Sequence, residues 1–214
     1  MSRKITKIKQ HGRDAHRYDV YLNDEYAFSV HEDVLVDKRL LKGKQVNQAD
    51  LQEILREEEK KKIEHAGLRL LSYRPRTTFE MRSYLQQKGF DQELIEEVVQ
   101  KWINEGYLDD EAFAWQWIEE RVKTKHKGRY LLRQELIEKG IEESVIQRAL
   151  EQMDQEAEYE ACFTLAKKRA KKYDSSDPKL RKYKLFTYLS RRGYPSHVIE
   201  RVCKHLVDEE QEDC

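Results

Sequence analysis

The residues best suited to chemistry in this sequence are basic and aromatic side chains in its C-terminal third. Residues 156–207 contain 13 Lys and Arg but only 6 Asp and Glu, a local net charge of +7. The clustered cations are Lys167, Lys168, Arg169, Lys171, Lys172, Lys179, Arg181, Lys182, Lys184, Arg191 and Arg192, with Tyr173, Tyr183 and Tyr188 among them. Lys and Arg neutralise phosphates, and tyrosine rings stack on unpaired bases. We therefore interpret this cluster as a site for nucleic acid or an acidic protein, the alternative being a solvated helix face with tyrosines packed on apolar neighbours.

A second group of cations lies in the middle of the chain, where acids outnumber bases. It consists of Arg121, Lys123, Lys125, Lys127 and Arg129, with His126 among them. When the internal repeats of the chain are aligned, this group falls in the same place as Arg74 and Arg76, and as residues 179–184. We hypothesise that regular stacking of the repeats would place all these cations along one edge, as a discontinuous positive track.

Motifs for nucleotide or metal chemistry are absent from the sequence. Lys42-Gly43-Lys44 lacks the preceding glycine and the following hydroxyl of a phosphate-binding loop, and no His-Glu-x-x-His pair occurs. Cys203-x-His205 could be joined only by Cys162 and His197, without the second closely spaced pair of a tetrahedral site. We expect a core cysteine and a surface histidine here, and a protein with no metal and no cofactor.

The three tryptophans could stack on bases, but their spacing favours packing in a core. Phe113 and Trp117 are four residues apart, which places them on one face of a helix, and Trp102 lies in a periodic apolar segment. Trp115 is expected to be the most exposed of the three.

The whole composition indicates a helical protein with a small core. Apolar and charged residues each make up 38% of 214 residues, 41 Lys and Arg balance 41 Asp and Glu, and there are only 8 Gly and 3 Pro. Turn-rich β sandwiches need more Gly and Pro than this.

The sequence also bears on the compartment. No apolar run approaches the ~20 residues of a membrane span, and the N-terminus lacks an apolar signal segment. The three cysteines follow no disulfide pattern, which suits a reducing compartment. We expect a cytoplasmic protein without membrane contact.

The N-terminal region, residues 1–47, is predicted to be a β-hairpin followed by a short helix. Two segments rich in Tyr, Val and Phe flank Asn23-Asp24, a pair that tolerates positive φ, and residues 5–9 could add a third strand. Residues 31–41 have helical spacing, and Asn47 is a candidate N-cap for a long helix. The run Glu57–Lys62 (EEEKKK) is interpreted as a solvated face with local ion pairs.

From residue 66 onward the chain repeats three times. Gly89, Gly140 and Gly193 each follow a basic residue and precede an apolar one, and they are 51 and 53 residues apart. Apolar residues recur at equal offsets from these glycines: Met81, Leu132 and Leu185; Ile95, Ile146 and Ile199; Val98, Ala149 and Val202. Such periodicity predicts three-helix repeats, in each of which a glycine caps the C-terminal end of one helix before the next helix begins. The expected organisation is a linking helix and first repeat over 48–108, a second repeat over 109–155, a third over 156–207 and an acidic tail over 208–214. Two interpretations of the tail stay open: a disordered segment that competes with nucleic acid for the basic third, or a plain solubilising tail.

Local motifs make the chain resemble a known family. The run Gly106-Tyr107-Leu108-Asp109-Asp110-Glu111-Ala112-Phe113-Ala114 joins the first two repeats, and Arg74-Pro75-Arg76-Thr77 precedes the second helix of the first repeat. Together with the repeated glycine turns, these motifs resemble the RecX family of recombination regulators, in a form with an N-terminal extension typical of Gram-positive bacteria. Some longer members carry a further three-helix unit, which is not found after residue 207 here.

This resemblance implies a mainly α fold, with tandem three-helix repeats forming a curved, elongated solenoid beside a small N-terminal β-hairpin region. It also implies a monomeric, non-enzymatic regulator that binds the RecA filament on single-stranded DNA, and double-stranded DNA more weakly, and lowers RecA strand exchange and ATP hydrolysis. The alternatives are a stand-alone DNA-binding or transcriptional module of the helix-turn-helix kind and a purely structural helical adaptor. No helix carries an obvious set of Arg, Asn and Gln near its N-terminus for reading a major groove, which weakens the first alternative.

Overall fold

In the computed structural model, a small antiparallel sheet precedes a long series of helices. The structure describes residues 2–12, 14–173 and 178–212, without the side chains of 209–212. The strands are β1 (Arg3–His11), β2 (Asp14–Leu22), β3 (Glu25–His31) and β4 (Gln45–Val46). The helices are α1 (Glu32–Asp37), α2 (Gln48–Leu71), α3 (Thr78–Gln87), α4 (Gln92–Asn104), α5 (Asp110–Lys125), α6 (Arg129–Glu138), α7 (Glu143–Glu151), α8 (Gln155–Ala170), α9 (Pro178–Arg191) and α10 (Ser196–Glu212). The protein is mainly α-helical, as predicted.

The sheet has the strand order β3-β2-β1-β4, so both predicted hairpin strands and the third strand exist. Asn23 and Asp24 join β2 to β3 with φ angles of 51° and 68°, the conformation that a two-residue hairpin turn requires. Strand β2 pairs with β1 through Val20 and Ile8, and with β3 through Val20 and Phe28. Alternate residues of these strands face a core under the sheet.

Helix α1 is shorter than the helix predicted over residues 31–41. It ends at Asp37 because Arg39 adopts a left-handed φ of 47°, and the Leu40 N–H turns back to the Leu35 carbonyl at 2.9 Å. This turn buries Leu40 completely in the core beneath the sheet, so the tertiary contact overrides the helical spacing.

Helix α2 begins at the predicted N-cap, Asn47, which forms a reciprocal capping box with Asp50. The interpretation of residues 57–62 as a solvated face is wrong for Glu58, which is 3% exposed. Its carboxylate accepts from the His31 backbone N–H at 2.7 Å and lies 2.7 Å from the Arg17 guanidinium. Glu58 thus joins α2 to the sheet, a contact that has no signature in the charge pattern of the helix itself.

The contacts divide the chain into two units, residues 1–75 with 81–107, and residues 76–80 with 108 onward. In the first unit, Trp102 is buried against Gly67, where a Cβ would collide with the indole. In the second unit, one core is formed by α5, α6 and α7 and another by α8, α9 and α10. Among the described residues, no helix has the length and apolar character to cross a membrane.

The repeat glycines have the predicted conformation. Gly89, Gly140 and Gly193 have φ angles of 83°, 72° and 89°, the left-handed geometry that ends a helix without a Cβ clash. The apolar positions at equal offsets from them, from Met81 to Val202, are all buried. Repetition in the sequence therefore corresponds to repetition of three-helix packing.

Helix α10 continues through residues 208–212. The interpretation as a disordered segment is therefore wrong for the first five residues of the acidic tail. Asp213 and Cys214 lie outside the described residues.

Candidate nucleic-acid interface

The basic cluster of the third repeat is carried by the end of α8 and by α9. Asp154 caps α8 by accepting from the Glu156 N–H. The last turn of α8 contains Lys167, Lys168 and Arg169, where positive charge interacts favourably with the helix dipole. Pro178 begins α9, a position at which proline loses no helical hydrogen bond.

We call the cations on these elements the third-repeat surface: Lys167, Lys168, Arg169, Lys171, Lys172, Lys179, Arg181, Lys182, Lys184 and Arg191. Lys168, Lys171, Lys172, Lys184 and Arg191 are exposed. In the part of the chain that the structure describes, none of these five has a carboxylate within ion-pair distance. The cations that the sequence placed together thus share one region, and eight of the ten are exposed to solvent.

Arg169 differs from its neighbours because two tyrosine rings hold it. Its guanidinium carbon lies 4.9 Å from the centre of the Tyr173 ring and 4.8 Å from that of Tyr188, and its Nε donates to the Tyr173 hydroxyl at 3.0 Å. Cation–π contacts of this kind fix both rings and the arginine together. Arg169 therefore positions two tyrosine rings of the surface in addition to contributing a positive charge.

Arg192 does not belong to the third-repeat surface, although it is next to Arg191. Its guanidinium donates to the backbone carbonyls of Lys125 and His126, at 3.3 Å for the latter. The Gly128 N–H donates to the Arg192 carbonyl at 2.9 Å. These hydrogen bonds of Arg192 stabilise the packing of the third repeat on the second.

The middle group of cations, Arg121, Lys123, Lys125, Lys127 and Arg129, which we call the second-repeat strip, is paired with acids at most positions. Lys123 lies 2.7 Å from Glu119, and Lys127 contacts Glu135. Lys125 is the exception, being exposed and without a carboxylate partner among the described residues.

Glu135 is the centre of one network in this strip. Its carboxylate contacts Lys127, accepts from the Trp117 indole N–H at 2.9 Å and lies 3.6 Å from Arg121, whose guanidinium covers the Trp117 ring at 4.0 Å. Burial, followed by the nearby charges of Arg121 and Arg192, lowers the pKa of Lys127. The Glu138 carboxylate acts on this pKa in the opposite direction, and Glu135 pairs directly with the Lys127 ammonium group.

Arg129 is held by Glu158, which is 1% exposed. Its Nη2 donates to Glu158 Oε2 at 2.6 Å and its Nε to the same oxygen at 3.0 Å, while its backbone N–H reaches Oε1 at 3.2 Å. A bidentate arginine pair of this geometry fixes α6 against α8. Glu158 was not among the predicted site residues, although its i, i+4, i+8 spacing with Cys162 and Ala166 places it on the buried face of α8.

The two remaining predicted cations fall in different units. Arg74, exposed, donates to the Pro75 carbonyl at 3.0 Å in the first unit. Arg76, in the second unit, is half-buried, and its Nε is buried without a hydrogen-bond acceptor among the described residues. The discontinuous positive track along one edge stays a prediction.

The tryptophans are placed as their spacing indicated. Trp102 is 1% exposed, and Trp117 stacks on Phe113 with ring centres 5.7 Å apart. Trp115 is 39% exposed, the most of the three. None of them lies on the third-repeat surface.

The two cysteines of the third repeat that the structure describes are buried, whereas His197 and His205 are exposed, as the sequence predicted. Cys162 and Cys203 are buried, and burial raises the pKa of the Cys162 thiol to about 12. His205 stacks on Phe163 at 4.8 Å and its Nδ1 lies 2.5 Å from the Tyr159 hydroxyl. The described residues contain no group of three or more His, Cys, Asp or Glu arranged to hold a metal ion.

Comparison with known proteins finds similarity along nearly the whole chain. The regulatory protein RecX N-terminal domain matches residues 3–47, and the first, second and third three-helix domains of RecX match residues 65–101, 109–150 and 156–203. The chain is 31% identical over 206 residues to the regulatory protein RecX of Listeria monocytogenes, covering 96% of this chain and 77% of that protein. It is 32% identical over 213 residues to that of Bacillus thuringiensis subsp. konkukian, covering 98% of this chain and 79% of the relative.

Two crystal structures show the same fold. A regulatory protein RecX superimposes with a TM-score of 0.81 at 32% identity, covering 94% of this chain and 98% of that one. RecX from Lactobacillus salivarius superimposes with a TM-score of 0.67 at 25% identity, covering 69% of this chain and 96% of that one. Similarity therefore extends to the packing of the helices.

Proposed function

The chain belongs to the RecX family of regulatory proteins, and from this premise we propose that it regulates RecA by binding the RecA filament on single-stranded DNA. Bound along the filament, it lowers ATP hydrolysis and strand exchange by RecA. It acts as a monomer in the cytoplasm and contributes no catalytic step of its own.

The observation that carries this proposal is the match of four consecutive family domains, in order, over residues 3–203. A chance resemblance of helical repeats would not include the N-terminal sheet region as well. The relatives are named as regulatory proteins, in agreement with a role that works through a partner.

The third-repeat surface supports contact with phosphates or with an acidic face of RecA. Its solvent-facing cations, such as Lys168, Lys172 and Lys184, need a partner charge that the described part of the chain does not supply. We propose that these cations hold the chain across neighbouring RecA subunits. Bridging of this kind would hinder subunit addition and the cycling of ATP.

The test is the rate of ATP hydrolysis by RecA on single-stranded DNA, measured with increasing amounts of the chain. We expect the rate to fall at amounts below or equal to those of RecA. An unchanged rate at stoichiometric amounts would contradict the proposal.

The same experiment separates the alternative of a stand-alone DNA-binding module. Such a module would bind duplex DNA as tightly as single-stranded DNA and leave RecA hydrolysis unchanged once DNA is in excess. Under our proposal, inhibition persists when excess DNA is added after the filament has formed, because the chain is held by the filament itself.

A further inference from the structure

One small groove on the third-repeat surface combines aromatic rings with cations. It is a cleft of 210 Å³ formed by the end of α8 and the middle of α9. Its walls are Arg169, Tyr173, Tyr183, Lys184, Tyr188 and Arg191. A volume below that of pockets for drug-sized ligands suits a single flat group better than a large one.

Two of the three rings are already fixed, and one is open. Tyr173 and Tyr188 are held against the Arg169 guanidinium, as described above. Tyr183 is 69% exposed, and its ring has no stacking or cation partner among the described residues. The groove therefore offers a rigid wall on one side and an unoccupied aromatic face on the other.

The cations at the rim of the groove are spaced along one face of α9. Lys184 and Arg191 are seven residues apart, which is two helical turns or ~10.5 Å. Both are exposed, and no carboxylate of the described chain is in reach of either. The Thr187 hydroxyl between them donates to the Tyr183 carbonyl at 2.9 Å, so that it does not compete for a ligand.

We propose that this groove holds one unstacked base of a single-stranded nucleic acid. The base lies on the Tyr183 ring, and the phosphates on either side of it contact Lys184 and Arg191. The inference rests on the proposed function and deepens it, because it assigns a named part of the chain to the single strand rather than to RecA.

The chemistry of the groove favours a nucleic acid over an acidic peptide. Carboxylates or phosphates alone would be satisfied by the cations and would leave the open Tyr183 ring without a role. A base supplies the flat π-face that a tyrosine binds, and every base has one, so that the groove would accept any sequence.

The experiment measures binding of the full chain, without RecA, to a fluorescent thymidine oligomer of about 12 nucleotides, a length within known site sizes. An abasic strand of equal length and charge is measured in parallel. The variants are Tyr183→Ala and Tyr183→Phe, with Tyr130→Ala as the matched control, because Tyr130 is 58% exposed on α6 outside the groove.

We expect Tyr183→Ala to weaken thymidine binding about five- to 150-fold, the loss typical of one stacked base. Tyr183→Phe keeps the ring and should bind as the original chain does, and Tyr130→Ala should have no effect. Binding of the abasic strand should be weaker than that of thymidine and insensitive to all three substitutions.

Equal binding of the thymidine and abasic strands would overturn the inference, because it would leave phosphate contact alone. Unchanged binding by Tyr183→Ala would overturn it too. So would displacement of the oligomer by polyglutamate to the same extent from the original chain and from Tyr183→Ala. If the Tyr183 pattern holds while RecA hydrolysis is unaffected by the chain, the inference stands and the proposed function fails. If hydrolysis is inhibited but Tyr183→Ala binds normally, only the inference fails.

Discussion

The second-repeat strip and the third-repeat surface are similar in sequence and opposite in what their charges do. Each lies at the end of the first helix of a repeat and continues beyond it, α5 in one and α8 in the other. In the strip, Glu119, Glu135 and Glu158 contact Lys123, Lys127 and Arg129. On the third-repeat surface, five exposed cations have no such partner among the described residues.

The difference indicates that a run of Lys and Arg is available as a binding surface only where the fold places no carboxylates within ion-pair distance of it. The local net charges of −3 and +7 already pointed in this direction. They did not identify Glu158, which belongs to the third repeat and neutralises a cation of the second. Pairing across repeats is therefore part of what separates structural from available charge.

The largest expected effect comes from removing Glu158, the buried acid that pairs with Arg129 of the strip. Glu158→Ala leaves the Arg129 guanidinium without its carboxylate in a site where Glu158 is 1% exposed, and should lower the free energy of unfolding by about 3–5 kcal/mol. Urea denaturation followed by circular dichroism measures it. The matched control is Glu160→Ala, an exposed residue of the same helix, and an equal loss in both variants would contradict the assigned role.

The network around Glu135 should give a smaller loss. Glu135→Gln removes the charge that Lys127 and Arg121 share and weakens the acceptor of the Trp117 indole, at a cost of about 1–3 kcal/mol in unfolding free energy. Because the indole would donate to a neutral amide oxygen instead of a carboxylate, the tryptophan emission spectrum should change as well. A variant as stable as the original chain would show that the Glu135 network does not contribute to the stability of the fold.

Neutralising the third-repeat surface should leave the fold intact and change binding. In Lys168/Lys171/Lys172→Gln, the slope of log affinity for single-stranded DNA against log salt concentration should decrease by about 2, because each lost phosphate contact removes about 0.7. Fluorescence anisotropy at several salt concentrations measures this slope. An unchanged slope would place these lysines outside the DNA contact.

The smallest test compares single charges of the two regions. Lys123→Gln removes an exposed pair with Glu119 and should cost at most about 0.5 kcal/mol in stability, with no change in the salt slope. Lys184→Gln should instead decrease the slope by about 0.7 and leave stability unchanged. Equal slopes for the two variants would remove the distinction between the regions.

Much of the fold could be predicted because local rules decide it. Asn23-Asp24 adopts the positive φ angles of a hairpin turn, and Asn47 caps α2, since both depend on residues close in sequence. The repeat glycines follow the same logic. Helix α1 ends before the predicted residue because Leu40 is drawn into the core, a contact that no local pattern contains.

The candidate site could be predicted only as a set of cations. Arg192 looks equivalent to Arg191 in the sequence, yet one binds backbone carbonyls of the second repeat and the other faces solvent. Local charge density predicts the region of the site. Hydrogen-bond partners tens of residues away determine which cations in it remain available to bind a partner.

The sequence by itself therefore determined the helical class, the period of the repeats, the sheet region and the family, because each depends on spacing or on short motifs. Tertiary structure alone decided that Glu58 and Glu158 are buried, that most of the second-repeat strip is paired, and that Tyr183 has an open face. The physical reason is that a charge is neutralised by whatever lies within a few ångströms of it, and residues 29 apart, such as Arg129 and Glu158, become neighbours only when the chain folds.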